Sequence, residues 1–223
     1  MNACPTLNPA GLAQRELTAA DLPAALALHL DCTQGLSNDM VRKETLESLQ
    51  ALLERGRMIG LFDQQKLAAY GLLLLDLQDH ERLPAHIAPD AQRPQAVLSG
   101  VTVAPAWRGH GLQRRLIMLR MAMAPANALL SSTAAPANWY SWNNLLDCGF
   151  HVRAITQCYG GHTRYLMVLE PLPSHALYPD LSKEFHTLDL KRQHELLAQD
   201  WRGAQPGHSP EFLRYVPVPR SRA

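Results

Sequence analysis

The sequence predicts an α/β (α+β) protein in which a mixed, mostly antiparallel central sheet is flanked by helices. Residues 97–123 have the pattern of a buried strand, a turn with two glycines and an amphipathic helix. Two pairs of apolar runs, within residues 58–76 and 154–170, are each interrupted by a short turn, which is typical of antiparallel hairpins. Leucines spaced by three and four within residues 22–30 and 46–53 predict two further helices.

The strand, turn and helix of residues 97–123 are the most informative part of the chain. Pro105 lacks a backbone N–H group, so the strand is expected to end near Ala104. After the turn, apolar residues recur at helical spacing and predict the buried face of the helix: Leu112, Leu116, Leu119 and Met123. The opposite face is predicted to carry the polar residues Gln113, Arg114, Arg115 and Arg120.

The turn itself, Arg108-Gly109-His110-Gly111, has the composition of a phosphate-binding turn. A helix that begins after glycines presents main-chain N–H groups with no side chain in the way, and its dipole favours an anion there. The turn matches neither the Walker phosphate-binding loop nor the dinucleotide-binding fingerprint. No Lys-Ser or Lys-Thr pair follows, and Arg114 stands where the dinucleotide fingerprint needs a third glycine.

The run VTVAPAWRGHGLQ, residues 101–113, resembles the signature of the GCN5-related N-acetyltransferase (GNAT) superfamily, Arg/Gln-x-x-Gly-x-Gly/Ala after a strand that ends V-x-V-x-P. In that family the turn binds the pyrophosphate of acetyl-CoA, and the sheet is splayed where the pantetheine arm enters. The chain departs from the signature at Gln113, where a small residue is usual. The resemblance implies acetyl-CoA as the cosubstrate, no metal, and the following cofactor-binding residues: Val101, Thr102, Val103, Arg108, Gly109, His110, Gly111, Leu112, Gln113 and Asn138.

The helix predicted after the strand at residues 129–133 carries a second resemblance to this family. The pattern N-x-x-A-x-x-x-Y-x-x-x-G-F is matched at Asn138, Gly149 and Phe150. Leu145 occupies the position of the tyrosine that protonates the departing CoA thiolate in many members, so the motif does not identify an acid here. Tyr140 is the first candidate for that role, and the alternatives nearby in sequence are Tyr159, Cys148 and Ser141.

A base is also expected, because an alkyl ammonium with a pKa of about 10 must lose its proton before it attacks. Residues 77–95 are rich in proline, histidine and charge and are predicted to form a loop over the acetyl-transfer site. Glu81 or His80 would accept the proton there, directly or through water. A zinc site of His80, Glu81 and His86 is disfavoured, because no histidine pair lies at i,i+4 on a helix and a fourth ligand is missing.

The N-terminal region is predicted to form two helices joined by a polar loop. Thr18 and Asp21 have the spacing of a capping box before the first helix, and the second helix is predicted from Arg42 to Arg55. In the family, these helices and their loop form one wall of the acceptor site. The resemblance makes three loop residues candidate substrate contacts, although a solvated loop is favoured: Gln34, Asn38 and Asp39.

We expect residues 1–170 to form the GNAT acetyltransferase domain and residues 171–223 to form a C-terminal appendage packed on it. Within the appendage, Asp189 can cap a helix, and residues 212–218 have the composition of a strand. The appendage could close the acceptor pocket or mediate a homodimer. Plain packing is favoured over both.

Composition excludes several classes of partner. The net charge is +1 and no basic run occurs, so we expect neither nucleic acid nor an anionic membrane as a partner. The apolar run at residues 67–77 is too short to span a bilayer and the chain starts without signal-peptide features, so a soluble, cytoplasmic protein is expected. The four cysteines are far apart and form no C-x-x-C pair, which predicts reduced thiols.

These observations predict an acetyl-CoA-dependent N-acetyltransferase that transfers the acetyl group directly to an amine on a small molecule or peptide. The same resemblance implies that a strand N–H near Val101 stabilises the oxyanion that forms when the amine attacks the thioester. One alternative is a non-catalytic acyl-CoA-binding sensor that has lost the acid at Leu145. The other is an acyltransferase that acts on a protein N-terminus or an alcohol. A serine-hydrolase mechanism is excluded, because the G-x-S-x-G motif is missing.

Overall fold

The computed structural model describes residues 8–170 and 181–218. Five α-helices and ten β-strands occur in these residues, which divide into two compact units. The first unit contains residues 8–35, 43–77 and 98–124, and the second contains residues 36–42, 78–97, 125–170 and 181–218. None of the described helices is both long and apolar enough to cross a membrane.

The first unit contains the two predicted N-terminal helices, the predicted hairpin and the predicted helix after the glycine turn. Its elements are β1 (Ala13–Glu16), α1 (Leu22–Thr33), α2 (Leu46–Glu54), β2 (Gly56–Asp63), β3 (Lys66–Leu74) and α3 (Leu112–Met123). Strand β4 (Gln95–Val103) begins in the second unit and enters the first at Leu98. Strand β2 pairs antiparallel with both β1 and β3. The β2–β3 turn is as tight as predicted, because Asp63 pairs with Lys66 and Gln64 takes a φ of 54°.

Side-chain caps fix the starts of the first two helices. The predicted capping box is confirmed at the turn leading into α1, where the Asp21 carboxylate accepts a hydrogen bond from the Thr18 N–H at 2.8 Å. The prediction that α2 begins at Arg42 is wrong, and the helix begins at Leu46. The reason is a reciprocal cap, because Thr45 and Ser48 each accept the other's main-chain N–H, at 3.1 and 2.8 Å.

Helix α3 buries its predicted apolar face in the core of the first unit. The buried members of this core are Leu12, Ile59, Leu61, Ala68, Ala69, Trp107, Leu112 and Leu116. The prediction that Arg120 lies on the exposed face is wrong, because this side chain is only 1% exposed. Its guanidinium is buried among main-chain carbonyl oxygens that it satisfies as a donor.

In the described part of the second unit, the first residues of β4 and six further strands form a sheet. The elements of this unit are β5 (Leu129–Ala134), α4 (Trp139–Asp147), β6 (Phe150–Cys158), β7 (His162–Leu169), β8 (Lys183–His186), α5 (Leu190–Leu197), β9 (Trp201–Pro206) and β10 (Phe212–Pro217). Gln95–Val97 of β4 pair parallel with Leu129–Ser131 of β5. The order from there is β5, β7, β6, β9, β10 and β8, and these pairings are antiparallel. The predicted mixed, mostly antiparallel sheet with flanking helices is confirmed.

The C-terminal residues add three strands and a helix to this unit. The predicted cap is confirmed, because the Asp189 carboxylate accepts a hydrogen bond from the Arg192 N–H at 3.4 Å. Strands β8 and β9 were not predicted. Strand β9 joins the sheet where Gly203 pairs with Val152, and a Cβ at Gly203 would lie only 3.0 Å from the Val152 Cβ. Residues 171–180, where the predicted appendage begins, lie outside the described residues, and the domain boundary near Glu170 stays a prediction.

Candidate functional site

The turn between β4 and α3 is fixed at both ends. The Ala104 N–H donates to the Ala68 carbonyl of β3 at 2.9 Å, which ties the end of β4 to its neighbour. Residues Pro105–Trp107 then form one 3₁₀ turn, and Trp107 is buried in the core. The chain re-emerges at Arg108 and is exposed through Gly111. A buried anchor therefore holds an exposed turn directly before the helix.

Two glycines give this turn its shape. Gly109 and Gly111 take φ values of 79° and 72°, in the left-handed region that residues with a Cβ avoid. No atom lies within 4 Å of where a Cβ would stand at either position, so that side of the turn is open. The first hydrogen bond of α3 joins the Arg115 N–H to the Gly111 carbonyl at 3.0 Å. The open turn thus leads straight into the positive end of the helix dipole, where an anion is stabilised.

The basic side chains near the turn have different roles. Arg108 is exposed, and its guanidinium makes long contacts of 3.5 Å with the carbonyl oxygens of Val103 and Cys32 and also interacts with the Cys32 thiol. Arg115 instead donates to the Pro9 carbonyl at 2.8 Å and the Leu12 carbonyl at 3.2 Å. Arg108 therefore remains available to an anionic ligand, whereas Arg115 fastens the N-terminal segment to α3.

The end of β4 is held by side chains from the same unit. Tyr70 hydrogen-bonds the buried Thr102 side chain, and burial raises the pKa of Tyr70 to about 12 while this hydrogen bond acts in the opposite direction. The Cys32 thiol donates to the Val103 carbonyl at 3.2 Å. Burial raises the pKa of this thiol, with Arg108 acting against the shift. The Cys32 thiol is therefore neutral near pH 7 and serves here as a donor.

Three sequence-predicted site residues lie in the second unit, and each already has a local role. The Asn138 side chain caps α4 by accepting a hydrogen bond from the Ser141 N–H at 3.2 Å. The Glu81 carboxylate accepts a hydrogen bond from the Gln78 N–H at 2.8 Å and so caps a single 3₁₀ turn. Tyr140 is 72% exposed and packs edge-on against Trp139. The roles of these residues toward cofactor or substrate stay predictions.

Leu145, at the position where the resemblance expects a tyrosine, is part of the core. It lies on α4 and is only 3% exposed. Trp142 on the same helix is fully buried, and its indole N–H donates to the Pro136 carbonyl at 3.0 Å. The inward face of α4 is therefore packed by apolar groups, and Leu145 cannot donate a proton.

Comparison with known proteins supports the fold through structural similarity and not through sequence similarity. Sequence comparison finds no matching protein family and no similar curated protein. Among solved structures, the ribosomal-protein-alanine N-acetyltransferase from Brucella melitensis is 21% identical, with a TM-score of 0.51 over 72% of this chain and 100% of its own. A chain of the NatC complex bound to Gag peptide and CoA is 12% identical, with a TM-score of 0.54 over 73% of this chain and 99% of its own.

A third match comes from a candidate acetyltransferase of the GNAT family from Desulfovibrio desulfuricans. It is 14% identical, with a TM-score of 0.51 over 72% of this chain and 99% of its own. The chain has the GNAT fold. Within the GNAT fold, the glycine turn before α3 lies where the sequence signature predicted it, after β4 and at the start of the helix.

The structure also shows a polar cluster in the second unit that the sequence did not reveal. Arg164 on β7 donates to the carbonyl oxygens of Asp39 and Asn38, at 2.8 and 3.0 Å. The Asp39 carboxylate lies 2.6 Å from Nδ1 of His162. The loop of residues 36–42 is therefore fastened to the β6–β7 hairpin. No sequence signal could have found this cluster, because its partners are more than 120 residues apart.

Neither a metal centre nor a disulfide is found in the described part of the chain. Residues 8–170 and 181–218 contain no group of three His, Cys, Asp or Glu side chains arranged to hold a metal ion. Cys32, Cys148 and Cys158 are not joined in disulfides, and Cys4 lies outside the described residues.

Proposed function

We propose that the protein is an acetyl-CoA-dependent N-acetyltransferase that transfers the acetyl group directly to an amine. The observation that carries this proposal is the open glycine turn at the start of α3 in a chain with the GNAT fold. Gly109 and Gly111 leave the main chain without covering side chains, and Arg108 adds an exposed positive charge beside them. A pyrophosphate fits this combination because it needs several N–H donors and a nearby cation.

The end of β4 would then serve the acetyl end of the same ligand. Residues Val101–Val103 would bind the pantetheine arm through main-chain groups, and an N–H near Val101 would stabilise the oxyanion that forms when the amine attacks. Main-chain donors hold their positions without side-chain rearrangement. This accords with the anchoring of Thr102 by Tyr70 and of Val103 by Cys32.

No motif identifies the groups that accept and donate protons, so we name one candidate residue for each step. Glu81, directly or through water, is proposed to accept the ammonium proton, and Tyr140 is proposed to protonate the departing thiolate. An exposed tyrosine keeps contact with water, through which its proton can be replaced.

Peptide N-termini are the acceptor class to test first. The matched structures include a ribosomal-protein-alanine N-acetyltransferase and a NatC complex that holds a peptide together with CoA. A small amine remains the second acceptor class. The rival function, a non-catalytic acyl-CoA sensor, is favoured by one observation, which is the buried Leu145 where a tyrosine would supply the acid.

Cofactor binding is tested by calorimetry with acetyl-CoA, CoA and ATP on the parent, on Arg108→Glu and on Arg192→Glu as the control. Arg192 is an exposed arginine on α5, so its reversal makes the same change of net charge away from the turn. We expect CoA and acetyl-CoA to bind the parent and the control, with ATP much weaker. Arg108→Glu should lose about tenfold or more in CoA affinity, because it places a negative charge beside the pyrophosphate.

Turnover separates the enzyme from the sensor. CoA release from acetyl-CoA that depends on an added alanine-starting peptide or small amine is the result expected of the enzyme. Tight CoA binding with no release for any amine would establish the sensor instead. Equal CoA affinity of the parent and Arg108→Glu would refute the placement of the pyrophosphate at this turn.

A further inference from the structure

Arg120 is the most deeply buried charged side chain of the first unit, among the residues that the structure describes. It lies in the last turn of α3 and is 1% exposed. Its Nη1 donates to the Leu72 carbonyl of β3 at 3.0 Å and to the Ser99 carbonyl of β4 at 2.8 Å. Its Nε donates to the Leu116 carbonyl one turn earlier, at 3.0 Å. One guanidinium thus joins the helix to two strands.

The Ser99 carbonyl is where β4 departs from regular geometry. Gly100, the next residue, takes a φ of 30°, which strand residues do not adopt. Such an irregular residue inside a strand disrupts the local ladder and redirects the residues that follow. A buried carbonyl at such a point needs a donor, because a buried polar group without a partner costs about 1–3 kcal/mol. Arg120 supplies that donor at Ser99.

The neighbouring strand makes room for this contact. A Cβ at Gly71 of β3 would lie 2.9 Å from Nε of Arg120 and 3.2 Å from its Cζ. A side chain there would therefore push the guanidinium away from Leu72 and Ser99. Gly71 has a φ outside the left-handed region, so turn geometry does not require a glycine here. Its missing side chain is explained by the arginine beside it.

Stability alone does not explain a buried guanidinium. Removing a charge from water is costly, and well-packed apolar residues often replace buried charged groups without loss of stability. A guanidinium offers five donors in a rigid plane, which suits a site where several carbonyl oxygens must be held at fixed positions. The contacts of Arg120 match that use. One of them holds β4 two residues before Val101, and another holds the neighbouring strand β3.

We propose that Arg120 is a positioning residue that fixes the irregular turn of β4 at Ser99–Gly100 and thereby orients the main chain of Val101–Val103 for acetyl transfer. This inference rests on the proposed function, which uses those main-chain groups. Arg120 acts through β4 and touches no reacting atom. Small displacements matter at such a site, because a misplacement of about 1 Å can cost about a hundredfold in rate.

The test compares Arg120→Met, Arg120→Lys and the control Arg115→Met. Arg115 is on the same helix and also donates to main-chain carbonyls, but its acceptors belong to the N-terminal segment and not to β4. We expect Arg120→Met to lower kcat by about 10–100-fold. Its CoA affinity should fall less than its kcat, because the pantetheine contacts of β4 are disturbed whereas the pyrophosphate turn lies at the other end of α3. Arg120→Lys should recover part of kcat, and Arg115→Met should keep the parent's kcat.

Hydrogen exchange gives a readout that does not depend on turnover. Amides of residues 99–103 should exchange faster in Arg120→Met than in the parent and in Arg115→Met. Unchanged exchange in this segment, or equal losses of kcat in the two methionine variants, would overturn the inference. If the parent binds CoA but acetylates no amine, the enzyme proposal fails, and the exchange result still decides whether Arg120 holds β4. Should Arg120→Met not fold, Gly71→Ala replaces it, because it displaces the guanidinium while retaining the charge.

Discussion

His151 shows how burial sets the ionisation of a single residue. It lies on β6 and is only 8% exposed, and its Nδ1 has no hydrogen-bond partner. Burial lowers the pKa of its imidazole to about 4, and an interaction with the main chain of Glu170 offsets part of this shift. The ring is therefore neutral in the folded protein at pH 7. As the pH falls, the unfolded chain takes up a proton at His151 near pH 6.5, whereas the folded protein takes it up only near pH 4.

This difference predicts an acid-sensitive contribution to stability. Between about pH 6.5 and pH 4 the unfolded state binds more protons at His151, so the free energy of unfolding falls as the pH falls. We expect His151→Phe to flatten the drop in Tm over this window by several degrees, measured by circular dichroism. The exposed His194→Phe on α5 is the control and should follow the parent. Parallel Tm curves for the parent and His151→Phe would contradict the prediction.

Residue roles could be predicted from the sequence where the cause is local. The glycines of the turn before α3 and the cap at Asp189 depend on neighbours within a few residues, and the structure has them as predicted. The burial of Arg120 could not be predicted, because its acceptors Leu72 and Ser99 are 48 and 21 residues away and are main-chain atoms that no side-chain pattern reveals.

At the scale of elements, turn chemistry was the reliable guide. The β6–β7 hairpin was predicted from two apolar runs interrupted by a short turn, and Gly160 and Gly161 in that turn take positive φ values. Strand β9 was missed, because its pairing with β6 depends on the fit of Gly203 over Val152 rather than on an alternating pattern. Strand β8 has only four residues, too few to show a period.

Gly111 sets the backbone geometry at the start of α3. We expect Gly111→Ala to cost about 1–2 kcal/mol through its φ of 72°, and to weaken CoA binding by about tenfold or more, since the new Cβ enters the open side of the turn. The matched control is Gly160→Ala, which has a φ of 84° and equally open surroundings in the β6–β7 turn. The CoA affinities of the two variants and the parent are measured by calorimetry. Similar CoA affinities for the two variants would show that backbone strain, and not the turn, accounts for any loss.

At the scale of the chain, the C-terminal residues share a core with the strands of the second unit. The Gln193 side chain of α5 accepts hydrogen bonds from the hydroxyls of Tyr165 and Tyr215, at 2.8 and 2.6 Å. It also donates to the His186 carbonyl at 2.9 Å. All three side chains are buried, and burial raises the pKa of both tyrosines. A helix and a strand beyond residue 181 are thus joined to β7 by a polar network inside the core.

We therefore expect the C-terminal residues to unfold together with the strands of this unit. Gln193→Leu removes the acceptor that the two tyrosine hydroxyls share, and leaves them with each other and with a 3.4 Å contact from Tyr165 to the Thr187 carbonyl. This change should cost about 2 kcal/mol or more and lower Tm by about 4–8 °C, in one cooperative transition. Lys191→Gln, an exposed change on the same helix, is the control and should match the parent. A network built across β7, α5 and β10 cannot be lost from one of these elements alone. If hydrogen exchange instead detects earlier melting of the C-terminal residues, they form an independent appendage.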